Sequence, residues 1–251
     1  MVSNFIDKKL VERFKNEEVF TRNDLFDFYR FYVPEMKEGA FAWRIFDLKR
    51  KLLIEPIKKG IYKLSSKETF KPNLDKNILA IGKILGTSFN HYVYNIWTTA
   101  WLNELIELQA TNSITVLEVD KSSVESVFYT LKDKKFENVF FKPDETVIEK
   151  YISKLNDSII IKPMITRAPT FTINTVIIPT LEKMLVDLYC DEKIYFAFQG
   201  IQLVKIYEAS IEKYSINFSK MFNYAKRRKR EKSLKEFMLN NLYDKIKDLI
   251  E

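Results

Sequence analysis

The chain has 251 residues, and its 41 lysines and arginines outnumber its 34 aspartates and glutamates. Hydrophobic residues make up 46% of it, which is enough for one large core or two small ones and excludes disorder as the main state. A single cysteine and a single histidine exclude disulfide scaffolds and zinc-finger readers of DNA. The chain has no signal-peptide pattern and no uncharged stretch of about 18 residues, so we expect a soluble cytoplasmic protein without a membrane span.

Nucleotide-dependent and triad-type enzyme chemistry is disfavoured by the same composition. The five glycines complete neither GxGxxG nor GxxxxGK[ST], the patterns of phosphate-binding loops. The lone His91 lies in a mostly apolar run, which favours a structural histidine over a catalytic base. We therefore expect a protein that is not an enzyme and that needs no cofactor.

The surplus of seven positive charges is concentrated in two places. Residues 1–70 carry 15 basic and 11 acidic residues, and residues 220–232 carry seven basic residues and one acidic residue. Clustered lysine and arginine favour a polyanionic partner, because neutralising phosphates releases counterions. A generic Lys- and Asn-rich composition would also give a basic chain. Whether the charge reflects a polyanionic partner therefore depends on where the basic residues lie.

Two helices are predicted at the N-terminus. Apolar residues at helical spacing indicate the first, over residues 3–15. Thr21 and Asp24 have the spacing of a capping box at the start of the second, which should cover residues 22–32. Pro34 ends this helix, because the residue before a proline is pushed out of the helical region.

A third helix is predicted over residues 40–52. Four apolar residues share one of its faces: Phe41, Ile45, Leu48 and Leu52. Arg44, Asp47 and Lys51 should then lie together on an outer, basic face.

A hairpin is predicted directly after this helix. Residues 53–57 and 61–64 have strand composition, and Lys58, Lys59 and Gly60 form the turn between them. Three helices followed by a hairpin with a basic tip is the order of a winged helix-turn-helix. In that arrangement the third helix enters the major groove and the hairpin lies along the DNA backbone.

The segment from Lys37 to Lys63 has eight basic residues and three acidic ones, which favours DNA binding. The predicted DNA-binding residues are Lys37, Arg44, Lys49, Arg50, Lys51, Lys58 and Lys59. Within this set, Arg44 and Lys51 are the candidates for contacts to base edges, and phosphate contacts come from the lysines at the helix ends and the hairpin tip. A winged helix that binds protein, or that is purely structural, is the alternative.

The rest of the chain, residues 71–251, is predicted to form a larger α/β domain with a helical C-terminus, so that the whole fold is α+β. Short β-branched runs at residues 92–96, 114–119, 139–142 and 158–162 alternate with helical segments, including residues 98–108 with a Thr98 cap, which indicates some parallel pairing. An earlier helix should end at Gly86. After Pro179 the pattern predicts only helices.

A run of five basic residues closes one of these helices: Lys226, Arg227, Arg228, Lys229 and Arg230. Such a run fits a nucleic-acid patch, and it fits equally a solvated helix end in which an arginine pairs with an acidic neighbour.

Individual side chains suggest two alternative functions. Glu118 and Asp120 at a strand end are candidate Mg²⁺ ligands, which would make the protein a metal-dependent nuclease with a winged-helix targeting domain. A non-catalytic scaffold that binds protein through Trp43, Trp97 or Trp101 is the other alternative.

Six segments together carry a family resemblance: WRIFDLK at residues 43–49, GIY at 60–62, WTTAWLNE at 97–104, RAP at 167–169, PTLEKMLVD at 179–187 and YAKRR at 224–228. With them the whole chain resembles the AbiEi-like antitoxins of bacterial type IV toxin–antitoxin systems, which act in phage defence by abortive infection. The winged-helix part is common to many regulators, whereas the LEK and RR segments are more specific.

The resemblance implies a transcriptional repressor that binds inverted repeats in its own promoter, with two copies on the DNA. It also implies that the C-terminal domain opposes a nucleotidyltransferase-like toxin encoded beside it, without a stable complex. The family supplies no catalytic residues, no cofactor and no metal site. Arg167 and the run from Lys226 to Arg230 are candidates for antitoxicity or for a second basic patch, whereas Glu182 and Asp187 are expected to hold the fold.

Overall fold

The structure is a computed structural model that describes residues 2–51, 53–65, 67–88, 93–106 and 112–250, except for the side chains of residues 2–4, 58, 244, 245 and 247–250. The chain divides into two compact units. The first comprises Met1–Thr69, Ile211–Ser219 and Asp244–Glu251, and the second comprises Phe70–Ser210 and Lys220–Tyr243. The division expected at residue 70 assigned the two C-terminal stretches of the first unit to the other domain.

The first unit contains three helices and a small sheet. The helices are α1 (Val2–Phe14), α2 (Arg22–Tyr32) and α3 (Glu38–Arg50), and the strands are β1 (Phe20–Thr21), β2 (Ile54–Lys58) and β3 (Ile61–Leu64). All pairs in the sheet are antiparallel, in the order β1-β3-β2. The three predicted helices and the hairpin are confirmed, and Gly60 takes the left-handed φ of +77° that the turn requires.

The start of α2 is capped as predicted. The Thr21 backbone N–H donates to a carboxylate oxygen of Asp24 at 2.7 Å, and the Asp24 N–H donates to the Thr21 hydroxyl at 3.2 Å. These two bonds form the capping box, which satisfies backbone donors that the first turn leaves open. The same residue, Thr21, also belongs to β1, so the cap fixes where the strand ends and the helix begins.

One apolar cluster holds the helices and the sheet of the first unit together. Its buried members are Ile6, Leu10, Phe14, Phe20, Leu25, Tyr29, Phe41, Ile45, Leu48, Ile54 and Tyr62. The stretch at residues 211–219 is tied to this unit by backbone contacts. The Ser215 N–H donates to the Glu68 carbonyl at 2.8 Å, and the Ser215 hydroxyl donates to the Lys51 carbonyl at 2.9 Å.

The second unit is built on a four-stranded mixed sheet. Its elements up to residue 190 are α4 (Lys76–Ser88), β4 (Asn95–Thr98), β5 (Ser113–Val119), α5 (Val124–Asp133), β6 (Val139–Phe141), α6 (Glu145–Lys150), β7 (Asp157–Pro163), β8 (Thr170–Ile173), β9 (Val176–Pro179) and α7 (Leu181–Cys190). The strand order is β4-β5-β7-β6, in which β7 pairs parallel with both of its neighbours and β4 pairs antiparallel with β5. The chain thus has the α+β fold and the parallel pairing expected from the sequence.

Two local expectations in this unit are wrong, and one hairpin was not predicted. Residues 99–104 form a short 3-10 helix, although Thr98 caps it as predicted; residues 107–111 lie outside the described part. Helix α4 continues past Gly86 to Ser88. The hairpin β8–β9 was not predicted, because its turn uses Asn174 and Thr175 at positive φ instead of the glycine that marks most such turns.

Three helices follow, as the sequence predicts beyond Pro179: α8 (Ile201–Lys213), α9 (Phe218–Arg227) and α10 (Glu231–Ile250). Among the described residues, no helix combines the length and the hydropathy needed to cross a bilayer. The predicted structural histidine, His91, lies outside the described residues.

Candidate nucleic-acid interface and a buried ring of ion pairs

The outer face of α3 differs from its predicted composition. Phe41, Ile45 and Leu48 are buried as expected, but Asp47 is also buried and is only 4% exposed. The expectation that Asp47 lies on the outer face is therefore wrong. The helix also exposes two large aromatic side chains that were not predicted to belong to the DNA interface, Trp43 at 54% and Phe46 at 42%.

Two cations, Arg50 and Lys51, compensate the charge of the buried Asp47. Arg50 contacts one of its carboxylate oxygens at 2.8 Å, and Lys51 contacts the other at 2.7 Å. Lys51 also contacts Asp7 of α1 at 2.7 Å. Burial alone would lower the pKa of Lys51, but its hydrogen bonds to Asp47 and Asp7 outweigh burial and raise that pKa. Lys51 therefore links Asp7 of α1 to Asp47 of α3, and Arg50 is paired with Asp47 within α3, so we omit both from the proposed interface.

Other predicted cations of this region remain available. In the described part of the chain, Lys37, Arg44, Lys49 and Lys59 form no ion pair. The Lys58 side chain lies outside the described residues. Because the Arg22 guanidinium makes two hydrogen bonds to the Glu38 carboxylate, at 2.8 and 2.9 Å, the acidic residue at the start of α3 is neutralised. Both carboxylates of α3 are thus paired, which leaves the unpaired cations to set its outer potential.

Of the three tryptophans named for a protein-binding scaffold, only Trp43 is accessible. Trp97 is fully buried and Trp101 is 9% exposed, and the Trp101 ring N–H donates to the Asn73 carbonyl at 3.1 Å. Both therefore serve the core of the second unit.

The second unit contains a closed ring of six buried or half-buried charges, which we call the ion ring. Its members alternate in sign: Glu118, Lys162, Asp191, Arg228, Asp187, Lys183 and back to Glu118. Successive N···O distances lie between 2.5 and 3.2 Å. With three carboxylates and three cations, the ring is neutral as a whole, which is the condition for burying charges at tolerable cost.

Strand register and helix periodicity build the ion ring. Asn95, Glu118 and Lys162 are direct partners across β4, β5 and β7, so they form one row over the sheet. Lys183 and Asp187 lie one helical turn apart on α7, and Asp191 follows four residues later at its C-terminal end. Arg228 comes from the residue after α9 and closes the ring.

The ion pairs of the ring lower the pKa values of two of its carboxyl groups, Glu118 and Asp191. Burial would raise the pKa of Glu118, but the ammonium groups of Lys183 and Lys162 outweigh it and lower that pKa to about 2. In the same way, Lys162 and Arg228 hold the pKa of Asp191 well below its usual range despite burial. Glu118 and Asp191 therefore stay ionised throughout the physiological pH range.

Several polar groups surround the ring. The Asn95 amide donates to Glu118 at 2.9 Å, and the Tyr224 hydroxyl donates to Asp187 at 2.9 Å. The Tyr195 hydroxyl is fully buried, and among the described residues it has no hydrogen-bond partner. The Tyr195 ring packs on the Trp97 ring with centroids 5.3 Å apart. The Tyr195 hydroxyl is thus one of several buried polar groups near the ring for which the described residues supply no hydrogen-bond partner.

Glu118 and Asp120, the pair considered as Mg²⁺ ligands, have opposite environments. Glu118 is fully buried and bound by two lysines and an amide, whereas Asp120 is exposed. In the described ranges, no group of three or more His, Cys, Asp or Glu side chains is placed to hold a metal ion. Neither observation favours the nuclease alternative.

The basic run at residues 226–230 is divided by the structure. Arg228 belongs to the ion ring, and Arg227 donates to the Thr166 hydroxyl at 2.5 Å. We therefore omit Arg228 from the second basic patch. Lys226, Lys229 and Arg230 are exposed, as is Arg167, which takes a left-handed φ of +58° in the turn before β8.

Glu182 and Asp187 hold the fold in this structure. Glu182 is 6% exposed and lies 3.7 Å from Lys220, and Asp187 is a member of the ion ring. The residues of the ring that the sequence analysis missed are Lys162, Lys183 and Asp191. Two sequence features could have identified them: the four-residue spacing of positions 183, 187 and 191, and the position of Lys162 at the end of an apolar strand.

Residues 40–244 match the model of a family of unknown function, DUF6577. The match extends from α3 through most of α10 and covers well over half of the chain. The chain belongs to the DUF6577 family. No curated protein matches it. The family match includes α3, the hairpin and all six members of the ion ring.

Proposed function

We propose that the protein is a DNA-binding transcriptional repressor of its own promoter and an antitoxin, with the first unit acting as a winged helix. The element order α1-β1-α2-α3-β2-β3 and the three-stranded antiparallel sheet support this proposal. In a winged helix, α3 would enter the major groove and the β2–β3 hairpin would lie along the sugar-phosphate backbone.

The observation that carries the proposal is the set of cations on α3 and the hairpin that form no ion pair with any described residue. Arg44 and Lys49 lie on α3, Lys37 precedes it, and Lys59 lies in the hairpin turn. A duplex presents phosphates on both sides of the major groove, so cations at the helix and at the hairpin can be neutralised together. Relative to the sequence-based set, the proposed interface lacks Arg50 and Lys51, and it keeps Lys58 on sequence grounds.

The antitoxin part of the proposal is supported by the resemblance of the second unit to AbiEi-like antitoxins. The segments at residues 179–187 and 224–228, which carry that resemblance, supply three of the six members of the ion ring, namely Lys183, Asp187 and Arg228. We infer that the ring maintains the domain that opposes a nucleotidyltransferase-like toxin, and that no catalytic group is needed for this role.

Gel retardation tests the DNA-binding part. The probe is the duplex directly upstream of the protein's own reading frame. We expect retardation by the wild type and at least about tenfold weaker binding by the variant Arg44→Ala/Lys49→Ala/Lys59→Ala. The matched control, Lys226→Ala/Lys229→Ala/Arg230→Ala, removes the same charge from exposed positions of the second unit and should bind as the wild type does. Equal retardation by both triple variants would refute the assigned interface.

Co-expression tests the antitoxin part. The reading frame beside this one should encode a nucleotidyltransferase-like protein that arrests growth when expressed alone. Expression of the full chain should restore growth, and the Arg44→Ala/Lys49→Ala/Lys59→Ala variant should still do so, because antitoxicity is assigned to the second unit. Growth arrest that persists with the wild-type chain present would contradict the antitoxin proposal and leave DNA binding untouched.

A further inference from the structure

Helix α3 has an unusual set of side chains for a helix that reads DNA. Its sequence, EGAFAWRIFDLKR, contains no Ser, Thr, Asn, Gln or His, the uncharged residues that form hydrogen bonds to base edges. Its two carboxylates are occupied, Glu38 by Arg22 and Asp47 by Arg50 and Lys51. Arg44 is thus the main hydrogen-bonding group that α3 can offer to a base.

The exposed surface of α3 is instead apolar and aromatic. Ala42, Trp43 and Phe46 are exposed, and their spacing of one and three residues places them on one side of the helix. The Arg44 guanidinium lies 5.7 Å from the centre of the Trp43 ring, and that of Arg50 lies 5.5 Å from the Phe46 ring. This surface therefore combines two large rings with positive charge at its margin.

The charges around the rings favour a polyanionic occupant over a protein. Lys37 and Lys49 flank the aromatic pair along the chain, and neither has an ion-pair partner among the described residues. In the major groove, the apolar group that distinguishes one base pair from the others is the C5 methyl of thymine, and alanine and aromatic side chains are suited to contact it.

We propose that α3 reads DNA through the methyl groups of thymines, which Trp43 and Phe46 contact in the major groove. The inference rests on the proposed function and adds the chemical group that is recognised. Lys37 and Lys49 then contribute affinity through phosphates and Arg44 adds a hydrogen bond to a base edge, whereas the aromatic pair contributes the preference for thymine.

Replacing thymine by uracil tests the inference without altering charge or base pairing. The upstream duplex is amplified once with dTTP and once with dUTP, and both products are titrated with the full-length protein. Burying one methyl group is worth about fourfold in affinity, so two or more contacts should make the thymine duplex at least about tenfold better bound. In Trp43→Ala/Phe46→Ala the two duplexes should bind equally, and more weakly than the thymine duplex binds the wild type.

Phe31→Ala is the matched control, because Phe31 is an exposed aromatic residue of α2 and is 79% exposed. This variant should keep the full preference for the thymine duplex. All three tryptophans are described and only Trp43 is accessible, so quenching of tryptophan fluorescence by the thymine duplex is expected as a second readout.

Four other results would overturn the inference, and each shows whether the proposed DNA binding is overturned with it. Equal wild-type affinity for the two duplexes overturns it and leaves the proposed DNA binding intact. A thymine preference that survives in Trp43→Ala/Phe46→Ala assigns the preference to other residues. Binding of neither duplex overturns the proposed function as well. Equal affinity together with shielding of Trp43 as protein concentration rises assigns the aromatic face to a second copy of the chain.

Discussion

Replacing Lys183 by methionine is the most informative perturbation of the second unit. The Lys183 ammonium is fully buried and lies 2.8 Å from Glu118 and 2.5 Å from Asp187. Methionine keeps an unbranched apolar side chain of similar length, so little cavity is created, but the charge that separates the two buried carboxylates is lost.

The expected cost follows from what the two carboxylates retain. Glu118 keeps Lys162 and the Asn95 amide, and Asp187 keeps Arg228 and Tyr224. The ring would nevertheless carry three anions and two cations in a dry interior. Removal of one partner from a buried ion pair costs about 3–5 kcal/mol, and with a urea m-value of about 2 kcal/mol per molar the midpoint should fall by about 2 M.

Urea unfolding followed by tryptophan fluorescence measures this loss, since Trp97 is fully buried in the second unit. Lys232→Met is the control, because the Lys232 side chain is 93% exposed and should change stability by less than about 0.5 kcal/mol. The deficit of Lys183→Met should also shrink as the pH is lowered towards 4, because a carboxylate that has lost its cation takes up a proton. A loss below about 1 kcal/mol at pH 7 would show that the ion ring does not hold this unit together.

Three further predictions concern single groups. A Cβ on Gly82 would lie 2.7 Å from a methyl group of Val176, so Gly82→Ala should destabilise the protein by about 1–3 kcal/mol in thermal unfolding. Gly86→Ala is the control in the same helix: its Cβ would meet open space, so the substitution should be neutral or stabilising. Equal effects of the two substitutions would contradict the close packing of α4 on β9. Tyr195→Phe should leave the free energy of unfolding unchanged or raise it, since it removes a buried hydroxyl that has no hydrogen-bond partner in the described part of the chain. A loss above about 1 kcal/mol in urea unfolding would mean that this hydroxyl is bonded in solution. The pKa of Glu118 is about 2 in the folded protein against an ordinary 4.5, so ionised Glu118 should stabilise the fold fully above pH 4.5 and progressively less as the pH falls towards 2. Urea titrations across that window should show the free energy of unfolding fall. The fall should be smaller in Glu118→Gln.

The first unit was predictable from the sequence because its signals are local. The capping pair Thr21 and Asp24, the stop at Pro34 and the turn at Gly60 each act within a few residues. The apolar spacing of α3 also gave the correct buried face. What the spacing could not give was the position of Asp47, because its burial depends on Asp7 and Lys51, which lie 40 and 4 residues away.

The ion ring could not be predicted because it joins residues that are distant in the sequence. Glu118 and Lys162 are neighbours only through the register of β5 on β7, and Arg228 reaches Asp187 across 41 residues. Glu118 was a candidate metal ligand because its lysine partners are remote in the sequence. For the arginine run, the pairing of an arginine with an acidic neighbour was one of two expectations and holds for Arg228, but the sequence does not identify Asp187 and Asp191 as the partners. The hairpin β8–β9 was missed for a local reason, namely a turn that takes positive φ without glycine.

The salt dependence of DNA binding tests the central claim most directly. The affinity for the upstream duplex is measured over a series of salt concentrations for the wild type, for Arg44→Ala/Lys49→Ala/Lys59→Ala and for the control Lys226→Ala/Lys229→Ala/Arg230→Ala. Each lost phosphate contact lowers the slope of log K against log salt by about 0.9. If α3 and the hairpin bind the phosphates, the slope should fall by about two to three in the first variant and stay unchanged in the control. A reduced slope in the control, with the first variant unchanged, would place the DNA on the other unit and contradict the account.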